Sequence, residues 1–258
     1  MGGREPACGA ATIGRTIGRM TRYSFAIAIV LAACGGKSGG GGGGGGGGAD
    51  APTVPATITV SGTATQQSTT SGSPAPGVLV AAYKNSDEST ALAMATTDAN
   101  GNYSLTITTT GQPLDGFLKA TKSGNADTYL YPPAPLTADF TDASVNELDT
   151  SLYDTIAQTI GRGQPGQGMI ALEVQDAAAN LIAGAMVTSN PAAAHTGYTG
   201  SIGLPDTSAT MTTTDGRAYL FGLAPGAITV MATMTGATFK TTSLSIHADA
   251  FTTTVITE

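Results

Sequence analysis

Two histidines, His195 and His247, are the first residues to test for chemistry in this chain. A zinc site normally brings together three or four His, Cys or acidic ligands, and neither histidine has such company in sequence. His247 follows Leu244 and Ile246 in an alternating pattern, which predicts a strand-end residue facing solvent. His195 lies in a loop between Pro191 and Pro205 that also carries Tyr198. Asp98-Ala99-Asn100-Gly101-Asn102 puts oxygen ligands at alternate positions around a glycine, as a calcium loop does, but such a loop ends in a Glu. Here the chain runs on as Tyr103-Ser104-Leu105-Thr106-Ile107, a strand pattern. A tight hairpin turn wants the same Asp, Asn and Gly residues, so the turn is the expectation and weak calcium binding the alternative. No catalytic set, metal site or cofactor site is expected. For sugar binding, the candidate residues are Tyr129, Tyr131 and Tyr198, in Gly/Pro-rich stretches predicted to be loops. Loop tyrosines also serve as backbone anchors, and the chain has no Trp to offer a larger stacking face.

Of the two cysteines, Cys8 and Cys34, the second lies in an informative setting. It closes the apolar run Phe25-Ala26-Ile27-Ala28-Ile29-Val30-Leu31-Ala32-Ala33-Cys34, preceded by Arg15, Arg19 and Arg22 and followed by Gly35-Gly36. The run is short of the ~20 apolar residues a transmembrane helix needs, and the small residues before the cysteine suit a signal peptidase. Leu-Ala-Ala-Cys after an apolar stretch resembles the lipobox of bacterial lipoprotein signal peptides. The resemblance implies removal of residues 1–33 and lipidation of Cys34. Two or more acyl chains, at about 0.8 kcal/mol per buried methylene, give stable membrane attachment. Gly at position 35, where an Asp commonly marks inner-membrane retention, implies the outer membrane. Met20-Thr21-Arg22 before the apolar run makes a complete short signal by itself, so the sequence admits a start at Met20 as well as Met1. Cys34 is then the sole cysteine of the mature chain, and no intramolecular disulfide is expected.

Downstream, Gly39 to Gly48 is an unbroken polyglycine run. A glycine coil cannot offset its own ordering entropy, and a tether of roughly 20 residues would span about 25 Å. A phosphate-binding glycine loop ends in Lys-Ser/Thr, whereas Ala49-Asp50 follows here. The net charge is −7, with only 11% of residues charged. No basic patch stands out, which argues against nucleic acid. Thr and Val favour strands while Gly and Pro supply turns, so the mature chain reads as all-β with light cores.

The strand signals recur in one order. Ile58-Thr59-Val60-Ser61-Gly62 opens a first copy. The turn and strand Pro76-Gly77-Val78-Leu79-Val80-Ala81-Ala82-Tyr83 follow, then Thr96-Thr97-Asp98 leading to Tyr103-Ser104-Leu105, and Phe117-Leu118-Lys119-Ala120-Thr121. In a second copy, Ile170-Ala171-Leu172-Glu173-Val174 precedes Ala183-Gly184-Ala185-Met186-Val187-Thr188. Thr213-Thr214-Asp215-Gly216-Arg217-Ala218-Tyr219-Leu220 and Leu223-Ala224-Pro225-Gly226-Ala227-Ile228-Thr229-Val230 complete it. Internal duplication is the economical reading. Between the copies, Ser144-Val145-Asn146-Glu147 has the form of a capping box. Val145, Leu148, Leu152, Ile156 and Ile160 then predict one apolar helix face, which Gly161 would end. Such a helix should pack on a sheet.

The repeated Gly-(Val/Ala)-x-Val and Thr-Thr-Asp-x-Gly-x-Tyr pattern resembles the carboxypeptidase regulatory-like domain, a transthyretin-like β-sandwich. Gly222-Leu223-Ala224-Pro225-Gly226 resembles that family's turn before its last strands; the first copy has Gly111-Gln112-Pro113-Leu114-Asp115-Gly116 there instead. The resemblance implies a noncatalytic spacer or a protein- or sugar-binding module, a carbohydrate-binding-like fold, and supplies no catalytic residue. The expected organisation is therefore a signal peptide (1–33), a lipidated N-terminus and polyglycine linker (34–53), and two transthyretin-like or Ig-like β-sandwich domains (54–140 and 166–258) joined by one α-helix (141–165). The expected role is a non-enzymatic, lipid-anchored envelope lipoprotein with a structural or protein-interaction function. A carbohydrate-binding surface module is the alternative. The expected partners are the membrane, through the lipid, and an envelope protein or glycan.

Overall fold

The structure, a computed structural model, describes residues 53–68, 71–159, 164–200 and 204–258. Cys34, the polyglycine run, Ile160 and Gly161 lie outside the described residues. The first half of the fold contains β1 (Thr57–Gln67), β2 (Gly72–Pro74), β3 (Leu79–Lys84), β4 (Ala93–Thr96), β5 (Asn102–Thr108), β6 (Gly116–Thr121), β7 (Thr128–Leu130) and β8 (Val145–Leu148). Helix α1 (Thr150–Thr159) follows. The second half contains β9 (Gly168–Gln175), β10 (Met186–Asn190), β11 (His195–Thr199), β12 (Pro205–Asp206), β13 (Arg217–Leu223), β14 (Gly226–Thr233), β15 (Thr242–Ile246) and β16 (Phe251–Thr257).

Strand pairing repeats between the halves. β1 lies antiparallel to β5 and parallel to β8; β9 lies antiparallel to β13 and parallel to β16. The antiparallel run β3-β6-β7 is matched by β10-β14-β15. One small device occurs in both copies. The Thr97 hydroxyl donates to Ala75 O at 2.6 Å and accepts the Val78 N–H at 2.9 Å. The Thr212 hydroxyl donates to Ile182 O at 2.8 Å and accepts the Ala185 N–H at 3.0 Å. Each buried threonine thus ties the strand after the Gly turn to a later segment. The structural counterpart of Thr97 is Thr212, two residues before the Thr214 that sequence matching suggests.

The halves are joined through one nine-stranded sheet, in the order β12-β11-β13-β9-β16-β7-β6-β3-β4. The last strand makes the joint. β16 runs parallel to β9 on one side and parallel to β7 on the other, with Phe251 opposite Met169 and Thr128. This sheet crosses the expected boundary at residues 141–165, so the halves are bound by strand pairing and not by the helix alone. A strand with neighbours on both sides and both faces covered favours β-branched residues, and β16 supplies Thr252, Thr253 and Thr254, all buried. Buried hydroxyls need partners: Thr253 donates to Tyr129 O at 3.3 Å and Thr254 to Tyr131 O at 3.0 Å, while the Thr252 hydroxyl is left unpaired.

Three apolar clusters follow from this layout. β1, β5 and β8 pack against β3, β6 and β7 around Ile58, Val60, Leu105, Ile107 and Leu130. β9, β13 and β16 pack against β10, β14 and β15 around Ile170, Leu172, Val174, Val230 and Ile256, with Phe117, Tyr129 and Tyr131 of the first half joining them. The third cluster places Leu152 and Tyr153 of α1, with Leu148, on Met169, Tyr219, Phe221 and Phe251. The expected helix-on-sheet packing is present there, and burying Leu152 is worth about 2 kcal/mol.

The helix start differs from the expectation. Val145 to Leu148 form a fully buried strand, with Ala64 to Gln67 of β1 as partners, so Ser144 caps nothing. Val and Asn are weak helix formers, and the buried edge of β1 offers hydrogen bonds that a helix here would leave unmade. The cap is Asp149, whose Oδ1 accepts the Leu152 N–H at 2.8 Å and the Ser151 hydroxyl at 2.7 Å. These bonds, the Ser151 hydroxyl first, hold its carboxyl below the usual range. The Asp98 segment is the expected turn. Asp98 Oδ1 accepts the N–H groups of Asn100 and Asn102, both at 2.8 Å, and Gly101 takes φ +78°.

Candidate functional site at the joint

The β15–β16 turn carries His247 across to the first half. The turn is held by backbone contact. Asp249 Oδ1 accepts the Gly166 N–H at 2.7 Å and the Asp249 N–H donates to Gln167 O at 3.2 Å. Gly168, at the start of β9, lies so close that a Cβ there would come within 2.5 Å of His247 O. His247 is half-buried and does not face open solvent as the alternation in β15 predicts, because the strand ends at Ile246 and the chain turns.

Its ring lies flat on Tyr129, with centroids 3.6 Å apart and planes 5° apart. His247 Nε2 is 3.3 Å from the Tyr131 hydroxyl. Phe117 of β6 stands at the centre of the group, 5.0 Å from Tyr131, 5.5 Å from Tyr83, 5.7 Å from Tyr129 and 6.0 Å from His247. Charges border the rings. Lys119 Nζ lies 2.8 Å from Asp127 Oδ2 and 5.4 Å from the Tyr129 centroid, and Glu88 Oε2 lies 3.9 Å from His247 Nδ1. Burial, helped by the Lys119 charge, holds the His247 pKa below its ordinary value, with Glu88 opposing. Burial likewise raises the Tyr129 and Tyr131 hydroxyls.

The three tyrosines singled out in the sequence are not exposed loop residues. Tyr129 lies in β7, Tyr131 directly follows it and Tyr198 lies in β11, each no more than 6% exposed. Tyr129 and Tyr131 come together in the joint; Tyr198 does not join them. Its hydroxyl accepts the Val187 N–H of edge strand β10 at 2.9 Å, an anchoring role. None of the three offers a free ring face for a sugar. His195 is exposed on β11, far in sequence and pairing from the joint. Among the described residues, no three His, Cys, Asp or Glu side chains are grouped to hold a metal ion.

Sequence reading missed two buried acids. Glu173 of β9 pairs with Arg217 of β13 at 3.1 Å, on the face of the sheet opposite its main core. Burial pushes its carboxyl up to about 7, against the pull of Arg217. Glu147 of β8 is wholly buried. Its Oε2 accepts from Asn125 Nδ2 at 3.0 Å, and burial raises its pKa. The available signal for Glu173 is a charged residue inside the apolar run Ile170-Ala171-Leu172-Glu173-Val174, with its partner Arg217 supplied only by the strand pairing. A cleft of about 290 Å³ opens between α1, the start of β9 and the end of β13, with Tyr153, Met169 and Phe221 at its floor and Asp154, Gln158 and Asp249 at its rim.

No family model matches the chain, and no curated protein is found to match it. Among solved structures it is similar to GBS52, the minor pilin of Streptococcus agalactiae, at 13% identity over 78% of this chain and 94% of that one, with a TM-score of 0.26. It is similar to the shaft pilin SpaA of Lactobacillus rhamnosus GG at 14% identity over 78% and 97%, with a TM-score of 0.24. For the Bacillus anthracis TIE protein the identity is 12% over 78% of this chain, with a TM-score of 0.25, and the match spans about a third of that protein, 34%. Scores this low transfer neither the fold nor the role of those proteins, and the strand pairings above stand on their own.

Proposed function

We propose that this chain is a lipid-anchored, non-enzymatic module of the bacterial cell envelope, held at the outer membrane through Cys34 and acting as a structural or protein-interaction element. The observation that best supports the reading is the joint. A terminal strand paired on both sides makes one continuous β body out of two repeated halves, as a spacer or docking element requires. The lipobox-like run and the polyglycine segment add an anchor and a tether. The repeated halves are proposed to be two transthyretin-like or Ig-like units, divided as the sequence suggests, that share one sheet.

Intact mass and membrane fractionation of the native protein, beside a Cys34→Ala variant, test this reading. The expected result is a mature N-terminus at Cys34 with added acyl mass, and loss of both acyl mass and membrane retention in the variant. A soluble, unacylated wild-type product would overturn the anchor and the envelope role that rests on it.

A further inference from the structure

We propose that His247 makes the joint between the two halves acid-sensitive: a proton gained by its ring loosens the pairing of β7 with β16. The inference goes beyond the anchoring role and rests on where the ring sits. His247 is four residues from the start of β16, and it stacks on Tyr129 of β7 at 3.6 Å. The backbone on either side of that ring is bonded to β16: the Phe251 N–H donates to Asp127 O at 2.9 Å and the Tyr131 N–H donates to Thr253 O at 2.9 Å, while Thr253 Oγ1 donates to Tyr129 O at 3.3 Å. A displacement of His247 from Tyr129 therefore acts on both strands of the joint at once.

The surroundings favour the neutral ring. With its proton on Nδ1, toward Glu88, the imidazole uses Nε2 to accept the Tyr131 hydroxyl. A second proton removes that acceptor. It also places a cation against a ring that already carries the Lys119 ammonium 5.4 Å from its centroid. Attraction between the new cation and the Tyr129 face opposes this, as does Glu88 at 3.9 Å. The Glu88 carboxylate is half exposed to water, and Asp127 is already engaged by Lys119 at 2.8 Å. The charged and titratable groups facing the imidazole are thus Glu88 from the β3–β4 connection, Lys119 from β6, and Asp127, Tyr129 and Tyr131 from β7 and its flanks. Phe117 supplies only an apolar edge. Burial of the ring outweighs these attractions and disfavours the charged form. A base whose pKa is depressed by folding contributes stability above its unfolded value, near 6.5, that is lost as pH falls through the lower folded value.

The chain has two histidines, so in an NMR titration of ring protons the signal missing from a His247→Phe variant belongs to His247. The expected midpoint of His247 lies below the ordinary imidazole value near 6.5. Amide exchange at residues 128–131 and 251–254, corrected for intrinsic rates, is then compared at about pH 7.5 and about pH 5. The wild type should gain opening at the joint on acidification, by up to about tenfold for each pH unit by which the His247 midpoint lies below about 6.5. A His247→Phe variant, which keeps a stacked ring without a titrating proton, should show no such gain. A His247→Gln variant gives the same comparison should the larger ring fail to fold. A His247 midpoint at or above about 6.5 overturns the proposal, as does exchange at the joint that responds to acid equally with and without the imidazole.

Discussion

Replacing Arg217 by Met isolates the cost of a buried carboxylate in this fold. Glu173 is 3% exposed and Arg217 7%, and the pair meets at 3.1 Å. Gln175 Nε2 adds a bond to the other carboxylate oxygen at 3.3 Å. The adjoining cavity, about 20 Å³, has room for one water but is too small to hydrate a full carboxylate. Removing the guanidinium while keeping an apolar stem should therefore cost about 3–5 kcal/mol wherever Glu173 is ionised. The sign of the pH dependence follows from burial. The folded pKa of Glu173, about 7, lies above its ordinary value of 4.5, so the acid form is the one folding favours. Loss of Arg217 raises that pKa further. The penalty is small near pH 5, about 1–1.5 kcal/mol for the lost hydrogen bond, and grows as pH rises above neutrality. Urea unfolding of wild type and Arg217→Met at about pH 5 and about pH 8 measures it. A second change, Glu173→Gln, in the Arg217→Met background should recover most of the loss at the higher pH. A penalty below about 1 kcal/mol at pH 8, or one equal at both pH values, would refute the reasoning, since either result requires a carboxylate that water can reach.

The repeated threonine tie predicts parallel effects in the two halves. Thr97→Val and Thr212→Val each orphan a buried N–H and should each cost about 1–3 kcal/mol in denaturant unfolding; a large difference between them would mean that the repeat does not carry equal weight. The helix start is decided by comparing Asp149→Ala with Ser144→Ala. The first should cost about 1 kcal/mol and weaken protection of α1 amides in hydrogen exchange, and the second almost nothing; the reverse order would restore Ser144 as the cap.

Most strands were legible because their signal is local. Val60, Leu105 and Ile170 sit in two-residue alternations bounded by Gly, Asp or Asn, and these segments form β1, β5 and β9 as expected. The residues at 145–148 were not legible, because the partner that makes them a strand is β1, some 80 positions away, and no local pattern encodes it. The same limit hid β16. Its Thr-rich run resembles an exposed strand, yet the Thr253 and Thr254 hydroxyls find carbonyl partners on Tyr129 and Tyr131 across more than 120 positions of sequence. The tyrosines show the effect most sharply. Tyr129-Leu130-Tyr131 next to Pro132 looks like a loop when read alone. In the fold it is a strand with two cores, Leu130 facing the first-half cluster and the two tyrosines the second. A strand that must satisfy two cores at once needs large side chains on both faces, and that requirement arises only where two halves share a sheet. The chemistry of the joint, a histidine against two phenols, is thus a by-product of how the repeat closes: the final strand of one copy lies on the last sheet strand of the other, and the turn that delivers it must bury whatever residue it carries.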